Sequence, residues 1–312
     1  MGYTLCVLGC GTMGVAILSG VLASLDAQIS TPSSQPKWES HTPGTVTPRV
    51  IDDESLPSRF LACVSREETA KKLRSAFFAA GSLGNSVEVL AGQNVKAVQE
   101  ANVVILCSKP QLAHTILSEP GMKEALDGKL LISILAGVTI SQLTAWVLPT
   151  TRVIRAMPNT PCKIREGMTV VSTMPPSETL ELERSIILNI FSSIGRCRFL
   201  DEKHFDACTA LSGSGPAFAC IFLEAMADGG VMMGLPRAEA LELAAQTLQG
   251  TARMTLQAGA HPAQLKDAVT TPGGCTIAGL LALEDGRVRS TIARAIQVAT
   301  ERASELGQQA KK

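Results

Sequence analysis

Two glycine-containing stretches hold residue types that could do chemistry. The later one runs from Leu265 to Gly286, LKDAVTTPGGCTIAGLLALEDG, and centres on Thr270-Thr271-Pro272-Gly273-Gly274-Cys275-Thr276. Pro272 fixes its own φ and pushes Thr271 toward an extended shape. Gly273 and Gly274 tolerate positive φ and let a ligand reach bare backbone. The next amides open a small-residue helical pattern from Ile277 to Leu283, and unpaired N–H groups at a helix start attract anions. Thr276 adds a hydroxyl that both donates and accepts. Together they suit a small carboxylate, although a helix cap over a tight turn uses the same residues.

The earlier stretch is Gly9-Cys10-Gly11-Thr12-Met13-Gly14. An apolar run, Thr4 to Leu8, precedes it, and a helical pattern follows from Met13 to about Leu25, apolar at Val15, Leu18, Val21, Leu22 and Leu25. Strand, GxGxxG and helix in that order form the context of a dinucleotide fingerprint. Gly9 makes the tight turn, Gly11 lets the backbone meet the pyrophosphate, and Gly14 lets the helix pack on the strand. The next strand, Arg59 to Val64, ends in Ser65-Arg66. An acid there would accept ribose hydroxyls, whereas a hydroxyl and a guanidinium suit a 2′-phosphate and favour NADPH, with NADH the alternative. A helix cap at Ser65 closed by Glu68 is compatible with this. A third apolar strand, Val103 to Cys107, leads into Ser108-Lys109-Pro110-Gln111. Lys109 thereby stands at a strand's carboxyl end, where open parallel sheets bind ligands.

Composition narrows the setting. The 28 lysines and arginines match 28 acids, so no net field draws nucleic acid or an acidic membrane. No charge-free run reaches the length of a membrane span, and the start shows no basic leader, so a cytoplasmic protein is expected. The nine cysteines form no CxxC pairs, which argues against a disulfide frame or a metal site.

Positioning these residues requires two domains. Asp26–Ser58 is rich in Ser, Thr and Pro without an apolar period, and reads as an inserted, mobile loop to which neither Trp38 nor His41 brings a role. Around it, strands at 87–90, 130–135 and 152–156 alternate with helices at 69–80, 94–100 and from Ile140, and edge strands at 168–173 and 197–200 flank a helix at 178–194. The pattern predicts an α/β fold over residues 1–202, a Rossmann-type doubly wound parallel sheet covered on both faces. From Lys203 to residue 312 only helical patterns remain, at 205–233, 237–258, 262–269, 276–284 and 287–306. The apolar content of this all-helical domain, with Ala, Gly and Met crowded between Ala225 and Gly234, points to helices packed across a subunit boundary. Leu211-Ser212-Gly213-Ser214-Gly215-Pro216 interrupts the first helix, either as a simple kink or as backbone brought near a ligand.

With these motifs in hand, the chain resembles the pyrroline-5-carboxylate reductases, enzymes of the last step of proline biosynthesis. GCGTMG at Gly9–Gly14, SKPQ at Ser108–Gln111, LAGVTI at Leu135–Ile140 and RAMPNTP at Arg155–Pro161 carry the likeness. More specific are LSGSGPAF at Leu211–Phe218, ADGGVMMGLP at Ala227–Pro236 and the block His261–Gly286. The resemblance covers the chain except Asp26–Ser58 and Ala80–Asn85. It implies NAD(P)H-dependent reduction of L-1-pyrroline-5-carboxylate to L-proline. It also implies a helical dimerisation domain that pairs with another subunit's, in a homodimer or a larger assembly of dimers, with the active site between protomers. The phosphate loop would be Gly9, Cys10, Gly11, Thr12, Met13 and Gly14, and the 2′-phosphate position Ser65 and Arg66. Asn94 and Lys109 would line the nicotinamide side, Ser108 and Pro110 would also bind the cofactor, and Ala136 and Gly137 would pass near the ring. The substrate loop would be Thr271, Pro272, Gly273, Gly274, Cys275 and Thr276, with Thr276 facing the ring nitrogen as the catalytic residue. The Asp26–Ser58 insert, Cys275 in place of the commoner alanine, and Ser108 in place of a small apolar residue depart from the pattern without removing a needed donor.

The sparse acid–base inventory agrees with an imine substrate. Reducing a ketone needs an acid for the forming alkoxide, and the helical domain offers few candidates: its histidines are His204 and His261, its lysines before the tail Lys203 and Lys266, and Tyr3 is the sole tyrosine. An imine nitrogen is basic enough to arrive protonated from water. A 3-hydroxyacid dehydrogenase would show GxGxxxK with an Asn four residues on. Laid on Gly213 and Gly215, those positions hold Ala219 and Leu223. A non-catalytic NADPH-sensing protein would need GCGTMG but not TPGGCT.

Overall fold

The computed structural model describes residues 2–30, 53–78 and 83–309. Its chain begins with β1 (Tyr3–Leu8), α1 (Thr12–Ser30), β2 (Pro57–Val64), α2 (Glu67–Phe78), β3 (Val87–Ala91), α3 (Asn94–Glu100) and β4 (Val103–Leu106). After β4 come two short helices, α4 (Ala113–Leu117) and α5 (Met122–Ala125), then β5 (Leu130–Ser133), α6 (Ile140–Trp146) and β6 (Arg152–Met157). β7 (Gly167–Ser172), α7 (Leu180–Ser192) and β8 (Gly195–Leu200) complete the sheet.

The eight strands lie in the order β3-β2-β1-β4-β5-β6-β7-β8. β1 to β6 are parallel, β7 is antiparallel to β6, and β8 follows β7 in parallel. The chain winds outward from β1 to β3 and then crosses to β4 on the other side of β1, so the topological switch point lies between β1 and β4. Successive side chains of a strand face opposite ways. Leu5 and Val7 accordingly join a core with Ile17 and Leu18 of α1 and Ile187 and Phe191 of α7. Cys6 and Leu8 join the opposite core with Val98, Leu117 and Leu143. Both faces of the parallel strands are covered, as their near-continuous apolar runs require.

The expected insertion is shorter than the sequence suggests. α1 continues to Ser30 and β2 begins at Pro57, with a 3-10 turn at Asp53–Ser55 in front of it. Asn189 of α7 holds that turn by donating to Ser55 Oγ at 2.9 Å and to its carbonyl at 3.1 Å. The rest of the insert, with Trp38 and His41, lies outside the described residues. The β2 register pairs Leu5 with Phe60 and Leu8 with Cys63.

After β8 the described chain is helical. α8 (Phe205–Cys208) runs through a π-turn, Thr209–Gly213, into α9 (Gly215–Met232). α10 (Arg237–Ala258), α11 (Pro262–Ala268), α12 (Cys275–Asp285) and α13 (Val288–Gln309) follow. Contacts divide the chain at Gly213/Ser214, and α13 from Ala299 onward belongs with the sheet-containing unit. That return is fastened by Ser304, whose hydroxyl donates to Asp206 at 2.7 Å.

The helical unit, Ser214–Val298, packs α9 on α10 through small residues. Ala227, Ala240 and Ala244 are buried, and a Cβ on Gly230 would stand 3.2 Å from the Ala240 Cβ. The crowded small residues of 225–234 thus serve, in part, a contact inside the chain. It is the large side chains that stay uncovered: Met232 and Met233 are more than 80% exposed, and Ile221, Leu243 and Leu281 more than half. Glu202–Met232 is long and apolar enough, by length and composition, to cross a membrane. The sequence reading passes over it because that reading sought a charge-free run, and this one carries Asp206, Glu224 and Asp228.

Candidate functional site

The β1–α1 turn shows what each glycine does. Gly9 has φ +76°, and a Cβ there would lie 2.9 Å from the Ser108 backbone, so a side chain is barred by both conformation and space. Its amide and that of Cys10 donate to the Cys63 carbonyl at 3.0 and 2.8 Å, tying the turn to the end of β2. A Cβ on Gly14 would come within 2.9 Å of Val7 Cγ1, which is how closely α1 packs on β1. Gly11 differs. A Cβ there would meet nothing closer than 3.9 Å, so its bare face is open. The first helical bond runs from the Val15 amide to the Gly11 carbonyl at 2.9 Å, leaving the amides of Thr12, Met13 and Gly14 outside the ladder of α1. Cys10 is fully buried and burial pushes its thiol up to about 12, so this residue offers backbone rather than thiolate.

Past β2, Ser65 and Arg66 are both exposed. Arg66 has no ion-pair partner among the described residues, whereas the neighbouring Glu67 is engaged by Arg74 at 2.7 Å. Past β4, Ser108 packs against Gly9, and its hydroxyl donates to the Lys109 carbonyl at 3.2 Å. Lys109 is exposed, and Pro110 starts the 3-10 turn Pro110–Leu112. Past β5, Ala136 is exposed and Gly137 turns the chain at φ +75°. Thr139 then caps α6 in a capping box with Gln142, accepting from its amide at 3.2 Å and donating its own amide at 2.8 Å.

The strand order therefore gathers Gly9–Gly14, Ser65–Arg66, Ser108–Pro110 and Ala136–Gly137 along the carboxyl edge of β2-β1-β4-β5, astride the switch point. Asn94 belongs elsewhere on that edge. It opens α3 after the outer strand β3, where the Gly92 amide donates to the Val64 carbonyl at the end of β2. Strand order thus sets Asn94 past the outer strand β3, next to the end of β2 that carries Ser65 and Arg66. Its side-chain amide donates to Glu119 at 2.8 Å.

The helical unit holds the other motif. α11 ends, and Thr270 donates its amide to Asp267 and its hydroxyl to the Lys266 carbonyl at 2.7 Å. Thr271–Gly274 closes a turn through the Gly274 amide to the Thr271 carbonyl at 3.1 Å. Pro272 in second place and Gly273 in third, at φ +69°, make it type II. Only Gly273 is left-handed. Gly274 has φ −78° and is required instead by space, since a Cβ would strike the Thr271 hydroxyl at 2.5 Å. Gly274 caps the 11-residue α12 without any side-chain hydrogen bond. The first-turn amides, starting at Cys275 and Thr276, are therefore free of a side-chain acceptor, and Thr271, Pro272, Gly273 and Cys275 are exposed around them.

Two ties escape sequence reasoning. Asn159 donates to the Ser212 carbonyl at 3.1 Å and accepts from the Met168 amide at 2.8 Å, joining the RAMPNTP and LSGSG motifs. Arg155 of β6 pairs with Glu202 at 3.1 Å. Both residues lie in motifs the sequence exposes, but their partners are remote in the chain.

A doubly wound sheet with its glycine turn at the switch point defines a Rossmann-type fold of the nicotinamide-dinucleotide class. Comparison with known proteins carries this further. Residues 202–306 match the family model for pyrroline-5-carboxylate reductase dimerisation, and residues 4–137 match that for NADP oxidoreductase, coenzyme F420-dependent. The chain belongs to the pyrroline-5-carboxylate reductase family. It is 49% identical to the pyrroline-5-carboxylate reductase of Lophium arboricola, over 97% of this chain and 93% of that one. With the enzyme of Schizosaccharomyces pombe it shares 46% identity over 97% and 98% of the two chains. Among solved structures, the Plasmodium falciparum pyrroline carboxylate reductase with NADP bound superposes with a TM-score of 0.73 at 27% identity, covering 98% of each chain. The Coxiella burnetii pyrroline-5-carboxylate reductase gives 0.77 at 25% identity, over 97% of this chain and 98% of that one.

Proposed function

We infer that this chain is an NADPH-dependent oxidoreductase that reduces the cyclic imine L-1-pyrroline-5-carboxylate to L-proline. The observation that carries the reading is the Thr271–Thr276 loop, a type II turn feeding a helix whose first amides no side chain caps. In a member of this family, that is the arrangement a small carboxylate requires.

Backbone amides around Gly273–Thr276, those of Cys275 and Thr276 among them, hold the substrate carboxylate, and the Thr276 hydroxyl orients the ring nitrogen. The ring nitrogen arrives protonated from water, so no side chain has to supply a proton during the chemical step. When bound, NADPH supplies the hydride that reduces the imine carbon. The open face of Gly11, the free amides of Thr12–Gly14 and the unpaired Arg66 are what a phosphorylated dinucleotide needs, with Ser65, Lys109 and Ala136–Gly137 completing its seat. The product amine is neutral and no oxyanion forms, so catalysis is mostly positioning, which can contribute ~7–11 kcal/mol of a barrier.

We place the start of the helical domain just past residue 202, shortly after β8, with Lys203–Gly213 and the chain from Ala299 onward sharing their contacts with the sheet-containing unit. The helical domain pairs with a second copy of the chain, and larger assemblies are built from such dimers. In support, the exposed large apolar side chains of α9 and α10 ask for a cover, and only 11% of the most apolar window in Glu202–Met232 is buried in the single chain. A soluble partner surface explains that better than a bilayer, because the run also carries Asp206, Glu224 and Asp228. The nine cysteines are unpaired, which fits a reducing, cytoplasmic setting.

A 3-hydroxyacid dehydrogenase would need a lysine at Ala219 and an asparagine at Leu223, both on α9. Incubating the purified protein with pyrroline-5-carboxylate while following NADPH absorbance tests the proposal directly. Consumption of NADPH with formation of proline is expected. Binding of NADPH without turnover would mean a sensing protein, and turnover only with 3-hydroxyacids and NADP would mean the dehydrogenase.

A further inference from the structure

One carboxylate in the sheet-containing unit ties three elements together. Glu202 Oε1 accepts a 2.7 Å hydrogen bond from the Ile140 amide at the start of α6 and a 3.1 Å bond from Arg155 Nη1. Arg155 projects from the carboxyl half of β6, is 2% exposed, and places its guanidinium over the Phe205 ring at 4.9 Å. Its Nε and Nη2 find no acceptor among the described residues. Arg155 is buried while Glu202 is 32% exposed, so the pair is held mainly because the guanidinium is not tolerated there without a partner.

The anchor acts on a particular segment. In the sheet Arg155 pairs with Ser133, the last residue of β5, from which the chain leaves toward Ala136 and Gly137. Thr139 caps the Gln142 amide, so Ile140 is left to Glu202. The exposed Ala136 and the left-handed Gly137 are thus held between the end of a buried strand and an amide clamped by a charge pair.

We propose that Arg155 and Glu202 are positioning residues, which fix the Ala136–Gly137 backbone for the dinucleotide by clamping the Ile140 amide. The inference rests on the reading that Ala136–Gly137 faces NADPH. Three full-length variants test it, Glu202→Ala, Glu202→Gln and the double Arg155→Met/Glu202→Ala, through NADPH dissociation constants from nucleotide fluorescence and through both KM values. Loss of one charge-assisted bond leads us to expect Glu202→Ala to raise the NADPH dissociation constant and KM roughly tenfold, with the KM for pyrroline-5-carboxylate within about twofold of the parent. The Gln variant keeps an oxygen for the Ile140 amide and should come back to within about threefold of the parent. The double variant leaves no unpaired buried charge, so it separates the clamp from folding and should still bind NADPH weakly. Parental NADPH binding in the double variant, or both KM values rising together, would overturn the inference. If the parent chain itself failed to bind NADPH, the reading of the sheet edge would fall first and the inference with it.

Discussion

Thr276 is the second residue of α12, in a first turn that carries no side-chain cap, so its hydroxyl and its amide are presented together. In the proposed role, removing the hydroxyl takes away about one or two hydrogen bonds to the reacting ring. Thr276→Ala should therefore lower kcat/KM for pyrroline-5-carboxylate by roughly ten- to a thousandfold in the NADPH oxidation assay. An unchanged value would remove Thr276 from the site. Arg66 makes the opposite kind of contribution. It is exposed and unpaired among the described residues, so its substitution disturbs little of the fold. Arg66→Asp should weaken NADPH far more than NADH, because an acid repels a 2′-phosphate and accepts from a ribose hydroxyl. Parallel titrations with the two nucleotides decide it, and equal losses would place the 2′-phosphate elsewhere.

The glycines of the β1–α1 element separate structural need from ligand need. An L-residue at Gly9 must adopt φ +76° and push a Cβ against the Ser108 backbone at 2.9 Å. Left-handed backbone costs about 1–2 kcal/mol and overpacking a further ~1–3 kcal/mol, so Gly9→Ala should show clearly lowered stability in urea unfolding. Gly11→Ala has 3.9 Å of room and should stay within about 1 kcal/mol of the parent. In the proposed dinucleotide seat its new methyl group would stand where backbone meets pyrophosphate, so fluorescence titration should show weakened NADPH binding. If Gly11→Ala proved unstable while binding NADPH normally, the turn would be structural alone. Other elements show where local signals stop. α4 and α5, at five and four residues, are too short to show a helical period. α1 runs on to Ser30, beyond the last residue of its apolar stripe that a sequence pattern can register.

At the scale of the whole molecule, the unit Ser214–Val298 leaves large apolar side chains of α9 and α10 in solvent, Leu243 among them at 57% exposure. A second copy covering this surface is the reading to test. Leu243→Glu should move the protein toward monomer in sedimentation velocity while the sheet-containing unit keeps its NADPH binding, and an unshifted assembly would put the interface elsewhere. Contiguous residues determined a good deal of this protein. They set the strands and helices nearly to the residue, as with α10 at Arg237–Ala258, and they marked the glycine turns and the TPGGCT loop, because apolar period, proline and glycine act on their own neighbours. Only the tertiary structure decided how those pieces are grouped. Strand order set Asn94 past the outer strand β3, next to β2, and the Arg155–Glu202–Ile140 clamp spans separations of 47 and 62 residues. Such pairings depend on which strand lies beside which, and on what burial leaves unpaired, quantities that no local stretch of chain contains.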